Sequence, residues 1–252
     1  MIDTHAHVNF NAYKDDADEV IRRSLDSGIW IINVGSQYPT SKRAIELAEK
    51  YEKGVYAAIG LHPIYARDRF DYKKYEQLPQ SPKVVAIGEI GLDYKEEYAS
   101  FKEEQKEIFL RQLELAKELH LPTILHCRMA HKDLIRTLNE WKAAGNEQLK
   151  GVVHCFTGSW AQAEKYLVMG LYLGFNGIIF KMNLDDIIKK TSLGKVLIET
   201  DCPYLTPPSA GTERNEPMYV RYIAEKIAQI KGVSYEEVSK ITTENAKKLF
   251  NL

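Results

Sequence analysis

The chain has 252 residues, of which 44% are hydrophobic and 27% are charged, and its formal net charge at pH 7 is −1. This composition is typical of a globular protein, and the length suits one α/β barrel domain over residues 1–252. The near-neutral charge excludes a global basic field that would attract nucleic acid. The three cysteines are too few for a disulfide framework and favour the cytoplasm. Neither a signal peptide nor a membrane span is expected, since no apolar run approaches about eighteen residues.

Short apolar, β-branched runs alternate with longer amphipathic stretches along the whole chain. The runs are nearly continuous rather than alternating, which is typical of parallel strands covered on both faces. Eight strands are predicted: Met1–His7, Trp30–Gly35, Val55–His62, Val84–Gly91, Pro122–Cys127, Gly151–Phe156, Leu171–Ile179 and Lys195–Asp201.

The amphipathic stretches between and after these runs predict helices. They are Asp16–Ser27, Thr40–Tyr51, Tyr72–Gln77, Phe101–His120, His131–Ala144, Ala161–Met169, Leu184–Lys190 and Met218–Lys231. Residues Ser234–Leu252 are expected to form one or two closing helices, with a terminal helix over Thr243–Phe250. Eight strand–helix units predict a parallel (β/α)8 TIM barrel. An open, doubly wound sheet is the alternative, and the chain length and the number of units favour the barrel.

Polar residues occur at the carboxyl ends of six predicted strands. They comprise five of the seven histidines and two carboxylates: His5, His7, His62, Glu89, His126, His154 and Asp201. In a barrel, the carboxyl ends of the strands meet at one mouth, which is where active sites are built. We therefore expect these side chains to lie close together.

The residue types in this set suit divalent metal ions. Side chains at positions i and i+2 of a strand share a face, so His5 and His7 are expected to project together. Glu89 has two oxygens and is able to bridge two ions, with His5, His7 and Asp201 completing one site and His126 and His154 the other. Imidazole and carboxylate ligands suit Zn²⁺, Mn²⁺, Fe²⁺ or Mg²⁺. Two such ions activate water for hydrolysis, most naturally of a phosphate ester.

Seven stretches resemble the TatD family of metal-dependent hydrolases, within the wider group of amidohydrolase-like barrels. They are Asp3–His7, Gly60–Pro63, Gly88–Tyr94, Leu125–Arg128, His154–Gly158, Glu199–Leu205 and Arg214–Pro217. The resemblance covers essentially the whole chain and implies a divalent-metal-dependent deoxyribonuclease, often a 3′-5′ exonuclease on single-stranded DNA. The metal positions it implies are His5, His7, Glu89, His126, His154 and Asp201, the same set. Met129 departs from the acidic residue expected after Arg128.

Catalytic roles are expected for Asp201, Glu89 and His62. Asp201 is expected to accept a proton from the attacking water as well as to bind metal. His62 either contacts the scissile phosphate or leaving group, or is an ordinary strand-end histidine. Glu199 shares the face of Asp201 and either orients a ligand histidine from behind or forms a structural salt bridge.

Substrate contacts are expected from residues around the mouth. Arg128 either binds phosphate or pairs with a nearby acid. Thr157 and Gly158 either hold a phosphate through backbone N–H groups, or Thr157 or Ser159 caps a helix. Tyr204 either stacks on a base or packs against the protein.

The cysteines and the last rim segment have predicted structural roles. Cys127, Cys155 and Cys202 each follow a proposed ligand and are expected to face the helix layer as packing residues. Arg214 and Asn215 are expected to line the rim of the mouth.

The sequence thus predicts a two-metal hydrolase of DNA phosphodiester bonds, with Mg²⁺ or Mn²⁺ in function and Zn²⁺ or another transition metal possible after purification. Single-stranded DNA or 3′ ends are the expected partner, and a monomer without an obligate protein partner is the expected state. An amide or ester hydrolase with the same metal site, such as a D-aminoacyl-tRNA deacylase, is the alternative. A binding or scaffold protein would be expected to lack one or more ligands, and all six are present.

Overall fold

A computed structural model describes residues 1–68, 70–146 and 149–252. In these residues, eight parallel strands form one sheet, in which each strand pairs with the next one along the chain. The strands are β1 (Ile2–Ala6), β2 (Trp30–Val34), β3 (Val55–Ile59), β4 (Val84–Asp93), β5 (Thr123–Arg128), β6 (Gly151–Val153), β7 (Tyr172–Phe175) and β8 (Val196–Ile198). The predicted TIM barrel is therefore confirmed, and the open, doubly wound sheet is not formed.

Helices connect the strands and form the outer layer of the barrel. They are α1 (Ala17–Asp26), α2 (Tyr38–Glu49), α3 (Tyr72–Gln77), α4 (Lys102–Glu118), α5 (His131–Ala143), α6 (Trp160–Val168), α7 (Asp185–Lys190), α8 (Val220–Lys231) and α9 (Tyr235–Phe250). The closing segment forms a single helix, α9, whose first turn is capped by the Ser234 side chain. No helix within the described ranges has the length and apolar character needed to cross a bilayer.

The barrel closes where the segment after β8 meets β1. The Asp201 N–H donates to the His5 carbonyl at 2.8 Å, and the His7 N–H donates to the Cys202 carbonyl at 2.9 Å. Asp3 strengthens this seam from a fully buried position. Its carboxylate accepts hydrogen bonds from the His5 N–H at 3.2 Å and from the N–H and hydroxyl of Thr200 at 2.9 and 2.5 Å. The seam therefore holds two predicted metal-binding segments side by side.

Alternating residues of the strands divide the apolar core into two parts. The outward-facing residues pack against the helices in the larger part. The smaller part contains alternate strand residues, such as Ile32, Ile124 and Leu197, together with Leu249 and Phe250 of α9. The barrel interior is therefore filled with side chains, as is usual for eight strands. Because α9 covers the amino ends of the strands, the opposite, carboxyl end is left for the polar residues.

Several strands end earlier than the sequence predicts. β3 ends at Ile59 rather than His62, β6 at Val153 rather than Phe156, and β8 at Ile198 rather than Asp201. β7 ends at Phe175, and the rest of the predicted strand forms a turn of 3-10 helix over Gly177–Phe180. After β6 and β8, the ladder of backbone hydrogen bonds between neighbouring strands is interrupted. The reason is that Cys155 and Asp201 adopt left-handed backbone conformations, with φ of 45° and 57°. Several candidate side chains thus lie in the loops immediately after the strands.

The seam provides a test of what closes the barrel. We expect Asp3→Ala to lower the free energy of unfolding by about 2–4 kcal/mol, because it leaves buried donors on His5 and Thr200 without an acceptor. Chemical denaturation measures this loss. The matched control is Asp26→Ala at the exposed end of α1, which should change stability by about 0.5 kcal/mol or less. Equal losses in the two variants would contradict a special role for the seam.

Candidate metal centre

The two histidines of the first segment point into the mouth of the barrel. His5 is fully buried and His7 is 3% exposed, and their Nε2 atoms lie only 3.1 Å apart. Nδ1 of His7 lies 2.8 Å from the Val34 carbonyl, which has only acceptor capacity. The His7 proton therefore resides on Nδ1, and Nε2 presents a lone pair to the mouth. This is the tautomer that a metal-binding histidine needs.

Glu89 lies at the centre of the site, on β4. It is 5% exposed, and its two oxygens face different histidines. Oε2 lies 3.6 Å from His5 Nε2 and 4.0 Å from His7 Nε2. Oε1 lies 2.7 Å from His126 Nδ1 and 3.8 Å from His154 Nε2. The carboxylate thus faces one group of imidazoles with each oxygen.

Asp201 faces the first of these groups from the loop after β8. Its Oδ1 lies 3.3 Å from His7 Nε2 and 3.9 Å from His5 Nε2. The same oxygen lies 3.8 Å from His154 Nε2. His5, His7 and Asp201 therefore converge as the sequence predicts, while His154 stands between Glu89 and Asp201 at equal distance from both.

His126 contacts a second carboxylate that the sequence analysis did not assign. Its Nε2 lies 3.1 Å from Asp93 Oδ2, and Asp93 is 2% exposed. Asp93 also lies on β4, four residues after Glu89, so the strand periodicity of two places both carboxylates on one face. This alternation of side chains along the strand was the signal in the sequence that could have identified Asp93. Gly91 between them permits close approach to β5, because a Cβ there would lie 2.1 Å from the His126 carbonyl oxygen.

Glu199 supports His154 from behind. It is fully buried, and its Oε1 lies 2.7 Å from His154 Nδ1 while it accepts a hydrogen bond from the Cys155 N–H at 2.7 Å. Gly174 on β7 leaves room for this carboxylate, because a Cβ there would lie 2.6 Å from Glu199 Oε2. This contact suits a carboxylate that orients a histidine, and the role of Glu199 stays a prediction.

The electrostatics of the cluster favour ionised carboxylates. Burial opposes the charge on Glu89, but the surrounding imidazoles, among them the His126 ring that bonds to Oε1, outweigh it and hold the pKa of Glu89 well below its usual range. Burial likewise opposes the charge on Asp201, yet the hydrogen bond from His7 and the nearby imidazoles lower the pKa of that carboxyl. The mouth therefore presents negative charge that attracts cations.

The imidazoles respond to the same environment in different ways. Burial lowers the pKa of His5 to about 4, and the neighbouring His154 adds to this effect. At His126 burial acts in the same direction, but Glu89 and Asp93 outweigh it and raise the pKa to about 9. At His154 burial is outweighed by Glu199, Asp201 and Glu89, which raise the pKa to about 10.

The donor set fits divalent ions. Three groups among the described residues place one ligand atom per residue within 4.8 Å of one another: His5 with His7 and Asp201, His5 with His154 and Glu199, and Glu89 with His126 and His62. In the third group, only Glu89 and His126 are assigned as ligands, because the hydrogen bonding of His62 directs a donor toward the site. The buried Nδ1 of His5 has no hydrogen-bond partner among the described residues. When a cation lies between anionic oxygens and imidazole nitrogens that converge in this way, its binding offsets the free-energy cost of burying them.

His62 differs from the other histidines in its hydrogen bonding. Its Nδ1 accepts a hydrogen bond from the Ile64 N–H at 3.2 Å, so the neutral ring carries its proton on Nε2. That Nε2 lies 3.5 Å from Glu89 Oε1. Burial lowers the pKa of His62, which keeps the ring neutral. His62 therefore has a donor, not a lone pair, directed toward the site.

The predicted substrate-contact residues lie around the mouth with different exposure. Arg128 is exposed at the carboxyl end of β5. The ring of Tyr204 is 55% exposed rather than packed in the core. Thr157 and Gly158 precede α6, where Ser159 and Gln162 form the capping box. Thr157 is therefore not the capping residue, and phosphate binding by Thr157 and Gly158 stays a prediction.

Two of the structural predictions need correction. Cys127 and Cys202 are buried as expected, but Cys155 is half-buried, and its thiol lies 3.5 Å from Asn176 Oδ1 beyond the end of β7. Strand alternation fails there because β6 ends before Cys155. Arg214 and Asn215 do not form an open rim: Arg214 pairs with Asp16 at 2.5 Å, and Asn215 is fully buried.

A parallel barrel that gathers imidazoles and carboxylates at the carboxyl ends of its strands has the architecture of a metal-dependent hydrolase. The family model for TatD related DNase matches residues 2–251. The chain therefore belongs to the TatD family of metal-dependent hydrolases, which act on ester bonds.

Relatives and solved structures agree with this assignment. The chain is 44% identical to the uncharacterized metal-dependent hydrolase YabD of Bacillus subtilis, over 100% of this chain and 99% of that protein. It is 33% identical to the 3′-5′ ssDNA/RNA exonuclease TatD of Erwinia tasmaniensis, over 100% of both chains. The crystal structure of YjjV, a TatD homolog from Escherichia coli, has a TM-score of 0.90 at 31% identity and covers 100% of this chain and 98% of its own.

The contact between Glu199 and His154 can be tested through metal affinity. We expect Glu199→Gln to weaken divalent-metal binding by about 10–100-fold, because the His154 ring loses the anion that orients it. Isothermal titration of the metal-depleted protein with Mn²⁺ measures this effect. Glu216→Gln is the control, since it removes a largely buried carboxylate that pairs with Arg23. If both variants lost affinity equally, general destabilisation would explain the result.

Proposed function

We propose that the protein is a two-metal phosphodiesterase that removes nucleotides from the 3′ ends of single-stranded DNA. The observation that carries this proposal is the division of the Glu89 carboxylate between two groups of imidazoles. Oε2 faces His5 at 3.6 Å, and Oε1 faces His126 at 2.7 Å. A carboxylate shared in this way suits two neighbouring divalent ions, the arrangement used in many phosphoryl-transfer enzymes.

The proposed ligands fall into two sets that share Glu89. His5, His7 and Asp201 would hold one ion, and His126 and His154 the other. The ligand types permit Mg²⁺ or Mn²⁺ in function and Zn²⁺ or another transition metal after purification. Bound ions would lower the pKa of a water molecule and withdraw charge from the phosphate oxygens.

The side chains of the site supply the remaining chemistry. Asp201 is ionised, and we assign it to accept a proton from the attacking water. The His62 Nε2–H donates to an oxygen of the scissile phosphate or of the leaving group, since its Nδ1 already accepts from the Ile64 N–H. Arg128 is exposed at the end of β5 and is assigned to a phosphate oxygen. Thr157 and Gly158 offer a further phosphate contact through backbone N–H groups.

Single-stranded nucleic acid is the substrate class that the rim favours. The exposed Tyr204 ring provides a surface on which a base can stack. Its backbone lies beside the site, since the Tyr204 N–H donates to the Asp201 carbonyl at 3.0 Å. Relatives that carry the name 3′-5′ ssDNA/RNA exonuclease support the same substrate class. The net charge of −1 favours binding of the end of a DNA strand at the metal centre over binding along a DNA duplex.

We further propose that the protein acts in the cytoplasm as a monomer without an obligate protein partner. The cysteines are all unpaired, which agrees with a reducing compartment. The six proposed ligands all come from one chain, so the site needs no second subunit.

The activity is tested with an oligonucleotide labelled at its 5′ end. With Mg²⁺ or Mn²⁺ we expect a ladder that shortens one nucleotide at a time from the 3′ end, and a chelator should abolish it. Asp201→Asn and Glu89→Ala should each lower kcat by about 100-fold or more, because they remove the proton acceptor and the shared ligand.

Asp186→Asn is the matched control for these variants, because Asp186 is an exposed carboxylate that pairs with Lys190 on α7. Its turnover should equal that of the unaltered protein. Metal-loaded protein that leaves single-stranded DNA intact, or full turnover by Glu89→Ala at saturating metal, would refute the proposal.

Tyr204 is tested by separating binding from turnover. We expect Tyr204→Ala to raise KM for an oligonucleotide by about 5–100-fold, since base stacking contributes about 1–3 kcal/mol. Tyr204→Phe keeps the ring and should leave KM nearly unchanged. The chromogenic diester bis(p-nitrophenyl) phosphate lacks a base, so its hydrolysis should be far less affected. A Tyr204→Ala protein with unchanged KM for the oligonucleotide would remove the stacking role.

A further inference from the structure

A cavity lies at the amino-terminal end of the barrel, the end opposite the histidine cluster. Its volume is about 580 Å³, within the range of small-molecule sites in proteins. The start of β4, the segments before β5 and β6, and the start of β7 form its walls, and the end of α9 covers one side. It is therefore built by the framework of the barrel.

The charged lining of this cavity is entirely basic. Lys150, Lys195, Lys248 and His120 lie on it, and no aspartate or glutamate lines it among the residues that the structure describes. None of the three lysines lies within ion-pair distance of a carboxylate in the described part of the chain. Other lysines pair normally, as Lys50 does with Asp18 at 2.8 Å. The cavity therefore concentrates positive charge that no carboxylate neutralises within residues 1–68, 70–146 and 149–252.

The side chain of Lys195 is held in the wall of the cavity by contacts with its neighbours. Its side chain is half-buried, its Nζ donates to the Gly170 carbonyl at 2.7 Å, and it stands 4.7 Å from the centre of the Tyr172 ring. Burial lowers the pKa of Lys195, and the charge of Lys248 adds to that effect. Such a cation gains most from an anion that enters the cavity.

The helix dipoles explain only part of this basic lining. Helices of a barrel end at this face, and lysines in last turns complement the negative ends of the dipoles. Lys248 lies in the last turn of α9 and fits that explanation. Lys150 lies in the segment before β6, and Lys195 ends a 3-10 turn directly before β8. Neither belongs to an α-helix, so the dipoles do not account for them.

Apart from Asn251 and the hydroxyl of Tyr172, the rest of the lining is apolar. Val84, Pro122, Leu249 and Phe250 contribute to the walls beside the lysines. A free inorganic anion would use the basic part and leave these walls bare. A ligand with an anionic phosphate and an organic body of nucleotide size would use both.

We propose that this cavity binds an organic phosphate of about nucleotide size, with its phosphate held by Lys150, Lys195 and Lys248. The site lies at the far end of the barrel from the metal centre and does not depend on the proposed nuclease activity. Because the lysines that line the cavity come from three different segments, the phosphate is recognised by charge and by N–H donors rather than by a single helix end.

Isothermal titration of the metal-loaded protein with dAMP tests the proposal, with one binding site fitted for the metal centre, where dAMP would bind as a reaction product, and one for the cavity. We expect Lys195→Met to weaken dAMP binding about tenfold or more, because a hydrogen-bonded charge is lost. Lys231→Met is the matched control: Lys231 is also half-buried and donates to a backbone carbonyl, of Lys189 at 3.2 Å, but it lies outside the cavity. Its dAMP affinity should be unchanged.

A second variant separates binding from folding. Lys150→Met/Lys248→Met removes two exposed charges and leaves the Lys195 bond to Gly170 intact, so it should fold and still bind dAMP about tenfold or more weakly. Inorganic phosphate and adenosine should each bind more weakly than dAMP. The proposal is overturned if dAMP does not bind at millimolar concentration or binds equally to both cavity variants and the unaltered protein. Equal affinity for inorganic phosphate and dAMP would contradict the proposed contribution of the apolar wall to binding.

Discussion

The burial of Glu89 among imidazoles is the interaction on which the rest of the site depends. A carboxylate that is 5% exposed loses most of its hydration, and the cost is several kcal/mol unless positive or hydrogen-bonding groups replace the water. His126, at 2.7 Å from Oε1, and His5, at 3.6 Å from Oε2, provide that replacement from opposite sides. The same arrangement favours the binding of divalent cations, because the carboxylate charge and the imidazole lone pairs converge on one small volume.

Each imidazole in this arrangement needs a fixed orientation, and the barrel supplies it through a second layer of acceptors. The Val34 carbonyl orients His7, Asp93 contacts His126, and Glu199 contacts His154. These partners lie on β2, on β4 and beyond β8, so the site is held by several strands at once. The hydrogen bonds of Asp3 close the seam between β1 and the segment after β8 and thereby fix the position of His5 relative to Asp201.

The two ends of the barrel carry opposite electrostatic character. At the carboxyl ends of the strands, Glu89 and Asp201 are ionised and surrounded by imidazoles, which suits cations and, through them, phosphate. At the amino ends, Lys150 and Lys195 face a cavity without an acidic residue among the described lining. A net charge of −1 conceals this separation, because the positive and negative groups cancel in the sum. The field that a ligand meets is local, and it depends on which end of the barrel the ligand approaches.

The sequence by itself determined the barrel and all the members assigned to the cluster except Asp93. The alternation of apolar runs with amphipathic stretches requires a parallel sheet covered by helices, and histidines at the ends of those runs must then meet at one mouth. Period-two alternation was enough to bring His5 and His7 together, and it would also have placed Asp93 beside Glu89. Only the tertiary structure decided where the strands end, because backbone turns at Cys155 and Asp201 follow from contacts between neighbouring strands. It also decided that Glu89 turns one oxygen to each group of imidazoles, that His62 presents a donor, and that distant lysines share a cavity. Those properties depend on distances between residues far apart in the chain, which no local pattern of residues encodes.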